Sequence, residues 1–343
     1  MRILITGGAG FIGCNLARRL LGRGHRVTVF DNLSRPRTTH NLDWLRAEAA
    51  NGPGELRFVQ ADIRDAAAIA AEAAEADAIY HLAGQVAVTT SVQSPRDDFE
   101  INALGTFNVL EGARLAAGRP PVLYASTNKV YGGMEDLAIA EGPTRYMYRD
   151  LPRGVPETQP LDFHSPYGCS KGAGDQYVRD YQRIYGLPTV VFRQSAIYGP
   201  RQFGVEDQGW AAHFVIAAQT GRPISIYGDG KQVRDMLYID DLIDLYELAL
   251  ARIDVAGGKI YNVGGGAENT LSIWAEFQPL LSRLAGRPVE PARYGDWRPG
   301  DQPVCILDIG KAERELGWRP RVGVEEGMGR LWRWVAEHIE LFS

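Results

Sequence analysis

Three glycines near the start of the chain, Gly7, Gly10 and Gly13, constrain its fold more than any other feature. Residues 2–6 form a short apolar run of strand type, and from Cys14 onward the apolar residues return at helical spacing. A strand that passes into a helix through G-x-x-G-x-x-G leaves backbone N–H groups and the positive end of the helix facing outward. That arrangement suits a pyrophosphate. Glycine is needed there because the ligand approaches the backbone closely and the helix must lie tight against the strand. A second expected strand, 26–30, ends in Asp31, which is placed to accept hydrogen bonds from the ribose hydroxyls of an adenosine. This favours NAD, with Arg35 and Arg37 nearby keeping NADP open as the alternative.

The first half of the chain continues to alternate. Strands are expected at 56–61, 78–82 and 122–125, with helices at 66–74 and 96–117. This order predicts a Rossmann-type, doubly wound parallel α/β sheet covered on both faces, with ligands at the carboxyl ends of its strands. Asp62-Ile63, Leu82-Ala83-Gly84 and Ser126-Thr127 fall at such ends. Residues 132–164 are irregular but carry Tyr146, Tyr148, Leu151 and Phe163, so they read as a partly structured insertion beside the site. Ser165-Pro166 caps a helix that runs to about 185. A strand at 189–193 follows, and then the rhythm loosens. Helices are expected at 209–220, 240–251, 272–284 and twice more at the end, with strands at 224–227, 234–238 and 259–263. We therefore expect a dinucleotide-binding domain over 1–192, joined by 232–262, and a smaller mixed α/β lobe from 193–231 and 263–343.

Composition narrows the partners. With 343 residues, 45% of them hydrophobic, the chain has core enough for one large or two moderate domains. A net charge of −5 argues against nucleic acid or an anionic membrane, so a polyanionic ligand must be held by a few local arginines. Three scattered cysteines without ligand spacing imply no metal site and a reducing, cytoplasmic setting. We expect no signal peptide and no membrane span.

Tyr167-Gly-Cys-Ser-Lys171 is the second decisive stretch. Tyr and Lys four residues apart share one helix face. An ammonium beside a phenol favours the phenolate and is expected to draw the Tyr167 pKa down from about 10 toward neutrality. Such a tyrosine can take a proton from a sugar hydroxyl while hydride leaves the same carbon. Thr127, after a sheet strand, is the natural third member, hydrogen-bonding the reacting oxygen.

With these motifs in place, the chain resembles the extended short-chain dehydrogenase/reductases that act on nucleotide sugars. The likeness covers essentially the whole length: Gly7 to Gly13, Asp31-Asn32, Asp62-Ile63, His81-Leu-Ala-Gly84, Asn102, Tyr131-Gly132, Tyr167-x-x-x-Lys171, Arg193 and Arg298-Pro-Gly-Asp301. The resemblance implies NAD held by Gly7, Gly10, Phe11, Ile12, Gly13, Asp31, Asn32, Asp62, Ile63, Leu82, Ala83, Gly84, Asn102, Ser126, Tyr167 and Lys171. It implies Tyr167 as base, Lys171 as its partner and Thr127 beside them. For a nucleoside-diphosphate sugar it implies Gln85, Thr127, Gln194, Arg201, Arg234, Arg298 and Asp301, with Arg234 and Arg298 on the diphosphate.

Longer segments, among them 84–91, 126–132, 161–171 and 228–235, are similar to the subgroup that inverts carbon 2 of CDP-linked deoxyhexoses. A 4-epimerase is the alternative. A 4,6-dehydratase is disfavoured because Asn128-Lys129 stand where that chemistry commonly has Asp-Glu. Ala196 stands where many relatives carry a substrate-contacting Asn. The family likeness also implies a homodimer or homotetramer, built on helices that would present Phe99, Val109, Tyr177 and Tyr181.

Overall fold

The computed structural model describes residues 1–298 and 301–342. Seven strands make one sheet: β1 (Arg2–Thr6), β2 (Arg26–Asp31), β3 (Glu55–Gln60), β4 (Ala78–His81), β5 (Val122–Thr127), β6 (Thr189–Gln194) and β7 (Lys259–Val263). All neighbouring pairs are parallel, in the spatial order β7-β6-β5-β4-β1-β2-β3. The chain winds outward from β1 to β3 and then crosses back to β4 on the other side of β1. That reversal opens a crevice beyond the carboxyl ends of the two central strands.

The sheet is apolar on both faces because helices cover both. On β1, Ile3 and Ile5 enter one core cluster and Leu4 the other, each at most 2% exposed. Helix α1 (Phe11–Gly22) adds Leu16, Leu20 and Leu21 to the first cluster. Each such side chain contributes about 1.5–3 kcal/mol.

The single helix expected at 96–117 is three pieces: Pro95–Phe99, a π-helical turn Glu100–Leu104, and α2 (Gly105–Leu115). The π turn lets Asn102 turn inward, where its side chain bonds the backbone of Gln85 from both sides. Helix α3 (Ser165–Tyr185) packs beside it, its first turn capped by Ser165 Oγ, which accepts from Gly168 N at 3.3 Å. Of the outward residues expected here, Phe99 and Tyr177 are exposed, whereas Val109 and Tyr181 belong to the core between sheet and helices. Leu104, Phe107 and Ile184 are exposed in their place, with Phe107 edge-on to Tyr177.

Val233–Tyr238, expected with the first domain, does not join the large sheet. It centres a small one, pairing with Ala196–Tyr198, Thr270–Ser272 and Val304–Cys305. The helix expected at 272–284 starts only at Phe277, because Thr270–Ser272 is used as strand. Ser272 and Glu276 then satisfy each other's backbone N–H groups. Within 132–164 a hairpin forms from Ile139–Glu141 and Tyr146–Tyr148. It is tied down by Tyr148 Oη donating to Val304 O at 2.8 Å and Tyr146 Oη to Asp229 at 2.6 Å. Among the described residues, no helix is long and apolar enough to cross a membrane.

Candidate active site

The glycine turn fits a dinucleotide. Gly7 has φ +71°, and a Cβ there would lie 2.7 Å from Ala83 N; at Gly13 it would lie 2.3 Å from Gly7 O. Any side chain would therefore close the cradle that β1 and α1 form. Asp31 ends β2 with its carboxylate held by Ala9 N at 3.0 Å and Leu33 N at 2.8 Å, and burial raises its pKa. Lone pairs remain on both oxygens for a ribose diol. Asn32 donates to Asp62 Oδ2 at 2.9 Å. The Arg64 guanidinium holds the Asp62 carboxyl down to about 2. The Ile63 side chain packs against Gly105 and its carbonyl accepts from Asn108 Nδ2 at 3.0 Å. Leu82 and Gly84 line the crevice, and Ala83 closes over Gly7.

Phe11 and Ile12, at the start of α1, open into a cleft of about 240 Å³ that also exposes Ser126, Thr127, Asn128, Tyr167 and Lys171. Tyr167 and Thr127 share this cleft, and the Thr127 hydroxyl favours the Tyr167 phenolate. Lys171 Nζ donates to Ala125 O at 2.6 Å and lies 4.3 Å from the centre of the Tyr124 ring. The three catalytic candidates from two distant segments are thus brought together. Their protonation differs from the expectation. Burial pushes the Tyr167 phenol up to about 12, and burial pushes the Lys171 ammonium down to about 7. The reason is geometric: Lys171 faces a carbonyl and a ring, so in the protein alone the two groups are desolvated side by side rather than paired.

A buried frame holds this pair. Arg193 on β6, 2% exposed, makes two hydrogen bonds of 2.9 Å to Asp175 of α3. Asp175 also accepts Ser126 Oγ at 2.7 Å. Ser126 thereby fixes the end of β5 against α3. Across β1 and β4, Thr6, His81 and Thr106 are hydrogen-bonded in a chain, and burial holds His81 neutral with its pKa pushed down to about 3.

Among the substrate candidates, Gln194 lines the cleft and donates to Tyr246 Oη. Gln85 turns its side chain to Ala87 O and Asp98, bracing its own loop, and it is not among the residues lining the cleft. Arg201 is a correction. Its guanidinium lies between Trp44, at 4.3 Å, and Trp334, at 5.8 Å, away from the cleft lining. The cause is Asn15 and Asn41 gripping the carbonyls of Pro200 and Arg201. Arg234 pairs with Asp301 at 2.5 Å, and Arg298 pairs with Asp207 at 3.3 Å and stacks on Tyr227. Neither arginine is part of the cleft lining. Pro299 and Gly300, between Arg298 and Asp301, lie outside the described residues.

Sequence reasoning missed Asp98, Ser170 and Asp175 in this frame. The signal was helical spacing: Asp98 stands four residues before Asn102, and Asp175 four after Lys171.

The same architecture occurs in known proteins. The family model described as GDP-mannose 4,6 dehydratase matches residues 4–331. A CDP-paratose 2-epimerase of Salmonella typhi is 44% identical over 98% of this chain and 99% of its own length. A UDP-glucose 4-epimerase of Mycolicibacterium smegmatis is 35% identical over 100% of this chain and 98% of its own. Among solved structures, a dTDP-glucose 4,6-dehydratase of Streptomyces venezuelae with NAD bound superposes with a TM-score of 0.84 at 34% identity, covering 99% of this chain and 98% of that one. A UDP-glucose 4-epimerase of Thermotoga maritima with UDP-glucose gives 0.83 at 30% identity, covering 99% and 100%. With the glycine turn, Asp31 at the end of β2 and the Tyr–Lys pair in place, the chain belongs to the GDP-mannose 4,6 dehydratase family of NAD-dependent extended short-chain dehydrogenase/reductases.

Proposed function

We propose that the protein is an epimerase that inverts carbon 2 of CDP-paratose, or of a related CDP-hexose, through a 2-keto sugar. One observation carries this reading over elimination of water: among the described residues, none that lines the cleft is acidic. A dehydratase needs a base and an acid beyond the tyrosine. Here Asn128 donates to Cys305 Sγ at 2.7 Å, and Lys129 follows it. The 44% identity to the Salmonella typhi CDP-paratose 2-epimerase supports the nucleotide and the carbon.

The chemistry explains why a redox route is needed. Carbon 2 of paratose lies beside no carbonyl, so its hydrogen is not acidic and direct deprotonation cannot invert it. NAD, when bound, would supply the hydride acceptor, positive charge and the hydride for the return step. Tyr167 takes the proton of the 2-hydroxyl, and Thr127 hydrogen-bonds the same oxygen. Lys171 stabilises the phenolate by its charge and holds the cofactor ribose. The planar ketone turns over in the cleft, Tyr167 returns the proton, and the hydroxyl ends on the other face. Net redox is zero, so the cofactor stays bound and needs no recycling.

The test uses purified enzyme without added cofactor, CDP-paratose in deuterated water, and NMR. Inversion at carbon 2 without solvent deuterium is expected. Deuterium at carbon 2 overturns the redox route, and inversion at carbon 4 moves the enzyme to the 4-epimerases.

Arg234 and Arg298 are assigned to the diphosphate, exchanging their carboxylate partners for it, with Asp301 near the nucleoside. Arg234→Met is expected to raise KM by roughly tenfold or more, since charge-assisted hydrogen bonds are worth about 1.5–3 kcal/mol. An unchanged KM removes that assignment. The lobe made of 193–231 and 263–343 supplies most of this substrate surface. The exposed Phe99, Leu104, Phe107, Tyr177 and Ile184 are assigned to contact with a second copy of the chain.

A further inference from the structure

Behind the cleft lies a carboxylate that the reaction above does not use. Asp98 is 1% exposed, in the short helix just before the π turn. Its Oδ1 accepts Gln85 Nε2 at 2.9 Å and Asn102 Nδ2 at 3.1 Å, and its Oδ2 accepts Ser170 Oγ at 2.5 Å. All three donors are neutral, and among the described residues no cation forms an ion pair with it. A buried carboxylate with only neutral partners is costly, and its pKa is accordingly raised by burial.

What Asp98 joins is informative. Gln85 follows Gly84, which lines the cleft, and the Gln85 side chain also grips Ala87 O. Ser170 lies between Tyr167 and Lys171 on α3, and its Oγ also bonds Tyr167 O at 3.2 Å. Asn102 bonds Ser170 Oγ at 3.1 Å from the π turn. One carboxylate thus ties the loop on one wall of the cleft to the helical turn that carries the catalytic pair on the other.

It also acts by charge. Asp98 and Asp175 both favour the ammonium form of Lys171, and Asp98 disfavours the phenolate of Tyr167. The remaining groups facing Lys171 are the Tyr124 ring, the neutral His81 and Tyr167 itself. We propose that Asp98 is a positioning residue for the Tyr167–Lys171 pair, fixing the 84–87 loop to α3 and supplying a counter-charge to the Lys171 ammonium. This rests on the catalytic reading of that pair but not on the identity of the sugar.

The chain has five lysines, at 129, 171, 231, 259 and 311, so lysine-selective ¹³C labelling gives a spectrum simple enough to follow each one. In NAD-loaded protein, with the signal assigned by Lys171→Arg, Asp98→Asn is expected to move the Lys171 titration to lower pH. The expected shift is on the order of one unit. Both limbs of the turnover pH profile are expected to move the same way, because losing the negative charge eases ionisation of Tyr167 as well. Ser170→Ala keeps the charge and cuts the tie, so kcat falls while the Lys171 titration stays where it is. An unmoved titration in a folded Asp98→Asn protein overturns the proposal. Should that variant not fold, Ser170→Ala decides: a loss of kcat at constant KM supports the tie, and unchanged kcat overturns it. A wrong sugar assignment leaves the lysine titration untouched, so the two failures are distinguishable.

Discussion

Replacing Tyr167 by Phe is expected to lower kcat by about 10³-fold, within the range a positioned proton-transfer group contributes. The ring is 8% exposed and packed in the cleft wall, so Phe fits the same space and the fold is retained. Only the phenol hydroxyl, which shares the cleft with Thr127, is lost. With Arg234 and Arg298 assigned to the diphosphate, KM is expected to change little. Single-turnover and steady-state assays on the nucleotide sugar, with calorimetric binding of the same ligand, check this. A variant that retains a tenth of the parent kcat would mean that another group takes the proton, and the assignment of Tyr167 as base would fall. The high phenol pKa in the protein alone makes the effect sharper. At neutral pH the hydroxyl is held as phenol until charge in the occupied site favours its ionisation, so its proton transfer is coupled to the reaction itself.

Arg193→Met is expected to have the largest effect on stability, a loss of about 3–5 kcal/mol, because it leaves a buried carboxylate without its partner. Asp175 is fully buried and receives both ends of the Arg193 fork as well as Ser126. Arg193 Nη1 also donates to Tyr131 Oη at 3.1 Å, which in turn donates to Asn262 on β7. The substitution therefore loosens β5, β6, β7 and α3 together. Urea unfolding of the NAD-loaded protein measures it. A loss under 1 kcal/mol would show that Asp175 finds another partner or takes up a proton. The double variant Arg193→Met, Asp175→Leu separates these cases, since removing both charges is expected to restore much of the stability.

How much of this could be read in advance depended on the range over which each signal acts. The glycine turn, Asp31 and the Tyr–Lys spacing are local, each set by neighbours in sequence, and the structure brings them to one crevice. The parallel order of the strands followed from strict alternation, because short connections and right-handed crossovers leave few other ways to arrange them. Signals that depend on distant partners were misread. Ser272 looked helical by its neighbours, but Val233–Tyr238 needed a strand beside it. Val109 and Tyr181 are expected to face outward from the family likeness, but the packing of α2 and α3 on the sheet puts them in the core.

The same division holds at the site. The sequence by itself determined the glycine turn, the Tyr–Lys spacing and the Asn128-Lys129 that follow Thr127, since each is a matter of residue type at fixed spacing. Only the tertiary structure decided where the side chains turn. It took Arg201 out of the cleft and stacked it between two tryptophans, and it turned Gln85 back onto its own loop. It buried Tyr167 and Lys171 together, so that desolvation sets the direction of both pKa shifts, and it placed Asp98 behind them. Burial and electrostatics depend on what packs from the far side of a helix, and that is information no local stretch of sequence contains.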